Sequence, residues 1–188
     1  MPIYINPVVV GMHYGLSKPI DANIYLSEFV NEMIDIQKNG IVFDSTNCKI
    51  VIQAIICDAP ARAFITCTKG HAGYFGCSKC IQEGEWKNCV VFPECNNALR
   101  TDESFCNKKQ IEYHLGTSVL EKLQIGMISQ IVLDYMHSIC LGVMKRILSL
   151  WLEGPKNIRL RVNKQKMISK MLLQEIQYHT NLHDYHEV

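Results

Sequence analysis

The chain has 188 residues, of which 48% are hydrophobic, and this length suffices for one domain with an ordinary core. Its 19 basic and 18 acidic residues give a net charge of +1, so any affinity for nucleic acid or membrane has to come from a local patch. No run of about 18 apolar residues predicts a membrane span, and residues 1–7 lack the basic start and apolar body of a signal peptide. We therefore expect a protein of the cytosol or nucleus, with no membrane partner.

Nine cysteines are a high number for this length, but they are scattered along the chain and their number is odd. In a reducing compartment this distribution favours buried thiols and one metal-binding pair over a framework of disulfides.

The first third of the chain predicts a mixed α/β sheet. Residues 3–14 are rich in β-branched and aromatic side chains and predict one or two strands. A helix should follow, with Asp21 as its N-cap and Asn39-Gly40 at its end. Ile41–Phe43 then reads as a short strand and residues 44–47 as a turn.

The next strand is predicted to run from Cys48 to Cys57 and to be buried on both faces. From Ile50 to Cys57 only Gln53 is polar, which is typical of a central strand. Asp58 is the first charge after this run, and Pro60 prevents the strand from continuing. An acid at this point is either a carboxylate fixed for chemistry or an ordinary strand end. Asp58 is also a plausible N-cap for a helix that begins at residue 59.

A pair of cysteines follows an irregular glycine-rich loop. Residues 69–76 contain three glycines, and Cys77 and Cys80 come directly after them. Two thiolates at this spacing can bind one tetrahedral zinc ion, which needs two further ligands. A redox dithiol uses the same spacing and is the alternative interpretation.

The second half of the chain is predicted to be mainly helical. Thr101 carries a helix-start signature that leads towards Tyr113. Residues 127–152 are densely apolar and predict one long buried helix, or two, ending at Gly154-Pro155. Residues 164–178 predict a final amphipathic helix.

Several residues are candidates for completing the zinc site. Asp134 and His137 are three apart in the predicted buried helix and would project from one face. They are costly to bury alone, although they could equally satisfy each other or a backbone group. The remaining candidate ligands are His71, Cys67, Cys89 and Cys95.

Six short stretches carry a resemblance to a known family. They occur in the expected order between about Gly11 and Pro155, and they are Cys57–Phe64, Lys69–Cys80, Phe92–Pro93, Arg100–Phe105, Leu133–His137 and Cys140–Met144. Together they look like the transposase-domain proteins related to the CACTA (En/Spm-like) DNA transposons. Each stretch is weak by itself, and the combination is specific.

The resemblance implies a ribonuclease H-like core whose acidic triad holds two divalent metals, Mg²⁺ or Mn²⁺, for DNA cleavage and strand transfer. It implies that Asp58 is the second acid of the triad, and that Cys77, Cys80, Asp134 and His137 belong to a zinc-associated insertion. The separation of Asp58 and Cys77 resembles that in the immune-system recombinase that descends from related transposons. The implied segments are a partial ribonuclease H-like core over residues 1–66, a zinc-knuckle loop region over 67–110, and a helical insertion and tail over 111–188.

The chain also departs from the family pattern. The first catalytic acid is expected upstream of the first strand, yet no acid precedes Asp21. The final glutamate is expected on a later helix, and Glu175 and Glu187 are not in a recognisable context. We therefore expect a transposase fragment that is inactive alone, with Mg²⁺ or Mn²⁺ at Asp58 only in a complete protein. The alternative is a domesticated, non-catalytic module that keeps a zinc-stabilised fold to bind DNA or protein.

The implied partner is DNA, at transposon ends, with a nuclear location and a homo-oligomer as a further expectation. Four basic residues near the knuckle are candidates for phosphate contacts. They are Arg62, Lys69, Lys79 and Arg100. Basic residues in loops are also an ordinary solvated surface.

Overall fold

The computed structural model describes residues 8–170, which form a mixed α/β protein with small two-stranded sheets. The helices and strands are α1 (Ala22–Asn39), β1 (Ile41–Phe43), β2 (Thr46–Cys48), β3 (Ile55–Cys57), α2 (Ala59–Ile65), β4 (Glu85–Trp86), β5 (Val90–Val91), α3 (Asp102–Cys106), β6 (Ile131–Leu133) and α4 (Lys145–Glu153). Short 3₁₀ turns lie at Ile111–Tyr113 and Val119–Lys122, a π-helix spans Met136–Met144, and residues 162–170 are helical. The predicted α/β class is thus confirmed, whereas a ribonuclease H-like sheet is not seen within these residues.

The helix α1 has the predicted ends. The Asp21 carboxylate accepts hydrogen bonds from the backbone N–H groups of Asn23 and Ile24. Gly40 follows the last turn with φ of +73°, and its N–H donates to the Ile36 carbonyl. Local capping therefore fixes both ends of this helix, as the sequence predicts.

The strands β1 and β2 form an antiparallel hairpin in which Ile41 faces Cys48 and Phe43 faces Thr46. Asp44 and Ser45 form the turn, both with positive φ, as a two-residue hairpin turn requires. The prediction of a turn over residues 44–47 was therefore too long, because Thr46 and Asn47 belong to β2.

The predicted long strand from Cys48 to Cys57 is wrong. Cys48 is the last residue of β2, residues 49–54 have no regular structure, and β3 (Ile55–Cys57) is a separate short strand. Its neighbour is the parallel strand β6, where a helix was expected. The Ile56 side chain is 67% exposed, so β3 is not covered on both faces. A short apolar run fits a strand and a buried helix equally well, which explains the error at β6.

The hydrophobic core lies between α1 and the segment that runs from α3 to β6. Its buried members are Val30, Phe105, Tyr113, Leu120, Leu123, Met127, Ile128 and Ile131. This cluster contacts β3 through Ile55 and α2 through Ile65. The core thereby fixes β3 and α2, the two elements on either side of Asp58.

The predicted strand over residues 3–14 is wrong for its described part. Residues 8–14 have no regular structure, and Val8, Val9 and Val10 are exposed. A strand propensity alone does not suffice without a partner strand to accept its hydrogen bonds. Residues 3–7 lie outside the described range.

The chain divides into two compact units, the first ending at Asp134 and the second beginning at Tyr135. The second unit contains the π-helix, α4 and residues 162–170. The expectation of a helix buried around most of its circumference is wrong here, because neither the π-helix nor α4 has a buried residue. The last predicted helix is helical as far as residue 170, and its remainder lies outside the described residues. Within residues 8–170, no helix has both the length and the apolar character that a membrane span requires.

Candidate functional site

Two acidic residues follow the two paired parallel strands. Asp58 comes directly after β3, and Asp134 comes directly after β6. The parallel register continues by one step, because the Asp134 N–H donates to the Cys57 carbonyl over 2.7 Å. Carboxyl ends of parallel strands meet at one edge of a sheet, so both acids lie at the same edge. Both residues are partly buried.

Asp58 is held as the N-cap of α2. One of its carboxylate oxygens accepts a hydrogen bond from the Ala61 N–H at 2.7 Å, and Pro60 occupies the first turn of the helix. The sequence predicts this cap, which is confirmed. A carboxylate has a second oxygen and further lone pairs, so the cap leaves ligand capacity on Asp58.

Asp134 does not lie in a helix, in contrast to the prediction. It follows β6, and His137 lies in the π-helix of the second unit. The argument that both side chains project from one helix face therefore fails. Their assignment as zinc ligands stays a prediction that rests on the family resemblance.

A buried arginine on α2 fixes the helix to β6. Arg62 is 2% exposed, and its guanidinium donates to the Ile131 carbonyl at 3.0 Å, the Tyr113 hydroxyl at 3.2 Å and the Met127 carbonyl at 3.5 Å. All three acceptors are uncharged. Arg62 thus has a clear structural role, and its burial excludes a contact with DNA at the open surface.

The Cys77-x-x-Cys80 pair has a compact geometry. The two sulfur atoms are 3.2 Å apart, and the Cys80 N–H points at the Cys77 sulfur at 3.4 Å. Arg100 fixes the loop, since its Nε donates to the Cys77 carbonyl at 3.0 Å and its backbone N–H donates to the Lys79 carbonyl at 2.9 Å. The sequence predicts the pair, but nothing local in it predicts the anchor 20 residues or so downstream.

The two thiols are electrostatically unequal. Burial raises the pKa of Cys77, but hydrogen bonds from Lys79 and Cys80 and the charge of Arg100 outweigh this, so its pKa lies below the usual thiol value. Burial and the neighbouring Cys77 raise the pKa of Cys80. Cys77 is thus the thiol that ionises first.

Arg100 and the two predicted lysines have different surroundings. Arg100 is 8% exposed and stacks on the Tyr113 ring at 3.7 Å, with Gln110 as a further partner. The Lys69 ammonium lies 5.2 Å from the Phe75 ring centre, and Lys79 is exposed. Lys69 and Lys79 are therefore the better placed of the four candidates for a contact with DNA.

The further zinc candidates are dispersed. Cys89 and Cys95 are exposed, and the Cys67 thiol approaches the Asn23 side chain at 3.9 Å. His71 lines the same cavity as Cys77. Within residues 8–170 no group of three or more His, Cys, Asp or Glu side chains has an arrangement that could hold a metal ion.

Tyr113 is the residue of this region that sequence reasoning missed. It is 1% exposed, and it contacts both buried arginines, accepting from Arg62 through its hydroxyl and stacking under Arg100. An aromatic residue in a polar loop gives no signal of such a role, because both partners are distant in sequence.

The chain was compared with family models, curated proteins and solved structures, and none of them matches at a significant level.

Proposed function

We propose that the chain is part of a DDE-type transposase related to the CACTA transposons, and that Asp58 is one of its metal-binding carboxylates. The observation that carries the proposal is the pairing of β3 with β6, which brings Asp58 and Asp134 to one edge of a parallel pair. A parallel strand pair that ends in a fixed acid, here Asp58, is what a ribonuclease H-like core would contribute to a metal site. The sheets of the described residues have two strands each, so the larger sheet of a ribonuclease H-like core is itself proposed.

The donor set fits a hard divalent cation. Mg²⁺ and Mn²⁺ prefer carboxylate oxygens, and Mg²⁺ tolerates little departure from octahedral geometry. Asp58 is fixed at the start of α2, and the buried Arg62 guanidinium holds that helix against β6. The metals, when bound, would activate the attacking oxygen and stabilise the leaving one in phosphodiester chemistry. This chain supplies one recognised triad acid, so it is expected to bind the cation without cleaving DNA.

Manganese binding tests this proposal. Titration of the chain with Mn²⁺, followed by electron paramagnetic resonance, should show a site that is weakened about tenfold or more in Asp58→Asn, which loses one carboxylate ligand but can still cap α2. Asp44→Asn is the matched control, because Asp44 lies in the exposed β-hairpin turn, where asparagine tolerates positive φ. Equal Mn²⁺ affinity in Asp58→Asn and Asp44→Asn would refute the assignment of Asp58.

We further propose that Cys77 and Cys80 bind a structural zinc ion, and its remaining ligands stay a prediction of the family resemblance. Two sulfurs at about 2.3 Å from a tetrahedral zinc lie about 3.8 Å apart, so the observed 3.2 Å needs only a small side-chain adjustment. The Cys80 N–H that points at the Cys77 sulfur would stabilise a bound thiolate.

Native mass spectrometry of the purified chain tests the zinc site. One zinc per chain is expected, and it should be lost in Cys77→Ser and in Cys80→Ser. Cys89→Ser is the matched control, since Cys89 is exposed. A zinc-free, folded protein would overturn the zinc proposal, and a Cys77–Cys80 disulfide in that protein would favour the redox interpretation. Zinc binding without any Mn²⁺ site at Asp58 would favour the non-catalytic binding module instead.

A further inference from the structure

A small cavity of about 210 Å³ lies in the first unit beside the knuckle. Ala59 and Leu133, which line it, are the residues next to Asp58 and Asp134. Basic side chains of Arg62, Lys69 and His71 also line it, and none of the twelve described lining residues is an aspartate or glutamate. The cavity therefore has a basic lining.

The size of the cavity restricts its ligand. Pockets for whole small molecules usually measure about 300–1,000 Å³, whereas a water molecule takes up about 30 Å³ in the liquid. The space at 210 Å³ suits one tetrahedral anionic group with a few waters. A larger molecule would have to leave most of its atoms outside.

The buried charge of Arg62 is the strongest indication that the cavity binds an anion. Its guanidinium has five N–H donors, and three of them reach the uncharged acceptors Ile131 O, Tyr113 Oη and Met127 O. A cation that is 2% exposed pays a large desolvation cost, which uncharged acceptors offset only in part. Arg62 lines the cavity, so an anion bound there would compensate its charge.

Lys69 and Ser78 add contacts of a different kind. The Lys69 backbone is fixed, because its N–H donates to the Tyr113 carbonyl at 2.8 Å, while its ammonium lies over the Phe75 ring. A lysine ammonium is a mobile point charge that commonly binds phosphate. Ser78 adds a hydroxyl to the lining.

From these contacts we infer that the cavity lined by Arg62, Lys69, His71 and Ser78 is a binding site for a phosphate group. The site takes either a backbone phosphate of DNA or a free phosphate, since both present the same tetrahedral anion. The inference goes beyond the proposed strand-transfer function, because binding a phosphate here needs no catalytic metal.

Calorimetric titration with inorganic phosphate tests the site. Saturable binding of one phosphate per chain is expected for the unmodified protein, and Lys69→Gln should weaken it about tenfold or more, through loss of a charge-assisted hydrogen bond. Ser78→Ala should weaken it less. Lys109→Gln is the matched control, because Lys109 is exposed and does not line the cavity. Absence of saturable binding, or equal affinities of Lys69→Gln and Lys109→Gln, would overturn the inference.

Competition identifies the source of the phosphate group. A short DNA duplex that displaces bound phosphate from the unmodified chain, but binds Lys69→Gln more weakly, identifies a backbone phosphate as ligand. A duplex that leaves phosphate binding unchanged identifies a free phosphate. Mn²⁺ binding at Asp58 is measured separately, so failure of the phosphate site and failure of the proposed function give different results.

Discussion

Replacing Arg62 by methionine tests how the candidate site is held in place. The substitution removes the hydrogen bonds to the Ile131 carbonyl at 3.0 Å and the Tyr113 hydroxyl at 3.2 Å, and the longer one to Met127 at 3.5 Å. Methionine fills much of the same volume without a charge. The helix α2, which Asp58 caps, would then lose its polar attachment to β6.

The size of the effect follows from these contacts. The two shorter hydrogen bonds involve a charged donor and contribute about 1.5–3 kcal/mol each, while the bond at 3.5 Å is too long to count fully. Part of this lost free energy is recovered, because the methionine variant has no guanidinium charge to desolvate on folding. We expect a net loss of about 2–4 kcal/mol in the free energy of unfolding.

Urea unfolding in phosphate-free buffer, followed by circular dichroism, measures this loss. Lys109→Met is the matched control, since the Lys109 side chain is exposed, and it should change the free energy of unfolding by less than about 0.5 kcal/mol. If Arg62→Met is as stable as Lys109→Met, the buried arginine is not a main connection between α2 and β6, and our reasoning is wrong.

Two further substitutions test local features. Asp102→Ala should cost about 2 kcal/mol, because its carboxylate accepts from the Ile128 N–H at 2.6 Å and from the Ser129 N–H and hydroxyl. Burial opposes it, but these bonds lower the Asp102 pKa, so the contribution is fully present above about pH 4 and decreases as the pH falls through the lowered pKa. A stability difference that stays constant as the pH is lowered below about 4 would contradict this. Gly40→Ala should lower the free energy of unfolding by about 1–2 kcal/mol, as measured by thermal unfolding. The reason is that φ at Gly40 is +73° and the added Cβ would lie 2.9 Å from the Cys48 carbonyl oxygen. Gly11→Ala is the control and should leave the free energy of unfolding unchanged, because no atom of the described residues, apart from its chain neighbours, lies within 4 Å of its added Cβ. Equal melting temperatures of the two alanine variants would refute the steric argument.

The features that the sequence predicted correctly are those that a few adjacent residues determine. Asp21 and Gly40 bound α1, Asp58 caps α2, and Thr101 begins α3 with a reciprocal capping pair to Ser104. Each cap involves hydrogen bonds between residues within about four positions of each other, so the pattern is visible in the sequence. The Cys77 and Cys80 pair is local in the same sense.

Strand length and burial were predicted less well, since they depend on distant partners. The apolar run from Ile50 to Cys57 resembles a long strand, but only the three residues opposite Ile131–Leu133 are paired. The apolar segment after Asp134 resembles a buried helix, yet the helices of that unit have no buried residue within the described range. Hydrophobicity shows that a residue can be buried, and the neighbouring elements decide whether it is.

By itself the sequence determined the helix caps, the cysteine pair, the place of a hairpin turn after Phe43 though not its length, and the position of Asp58 between a strand and a helix. Only the tertiary structure decided that Asp134 follows the strand next to Asp58, that Arg62 and Arg100 both meet Tyr113, and that a basic cavity lies beside them. The physical reason is the range of the interactions. Caps and turns are closed by neighbours in sequence, whereas the parallel strand pair and the buried arginines need partners from some ten to more than seventy residues away along the chain.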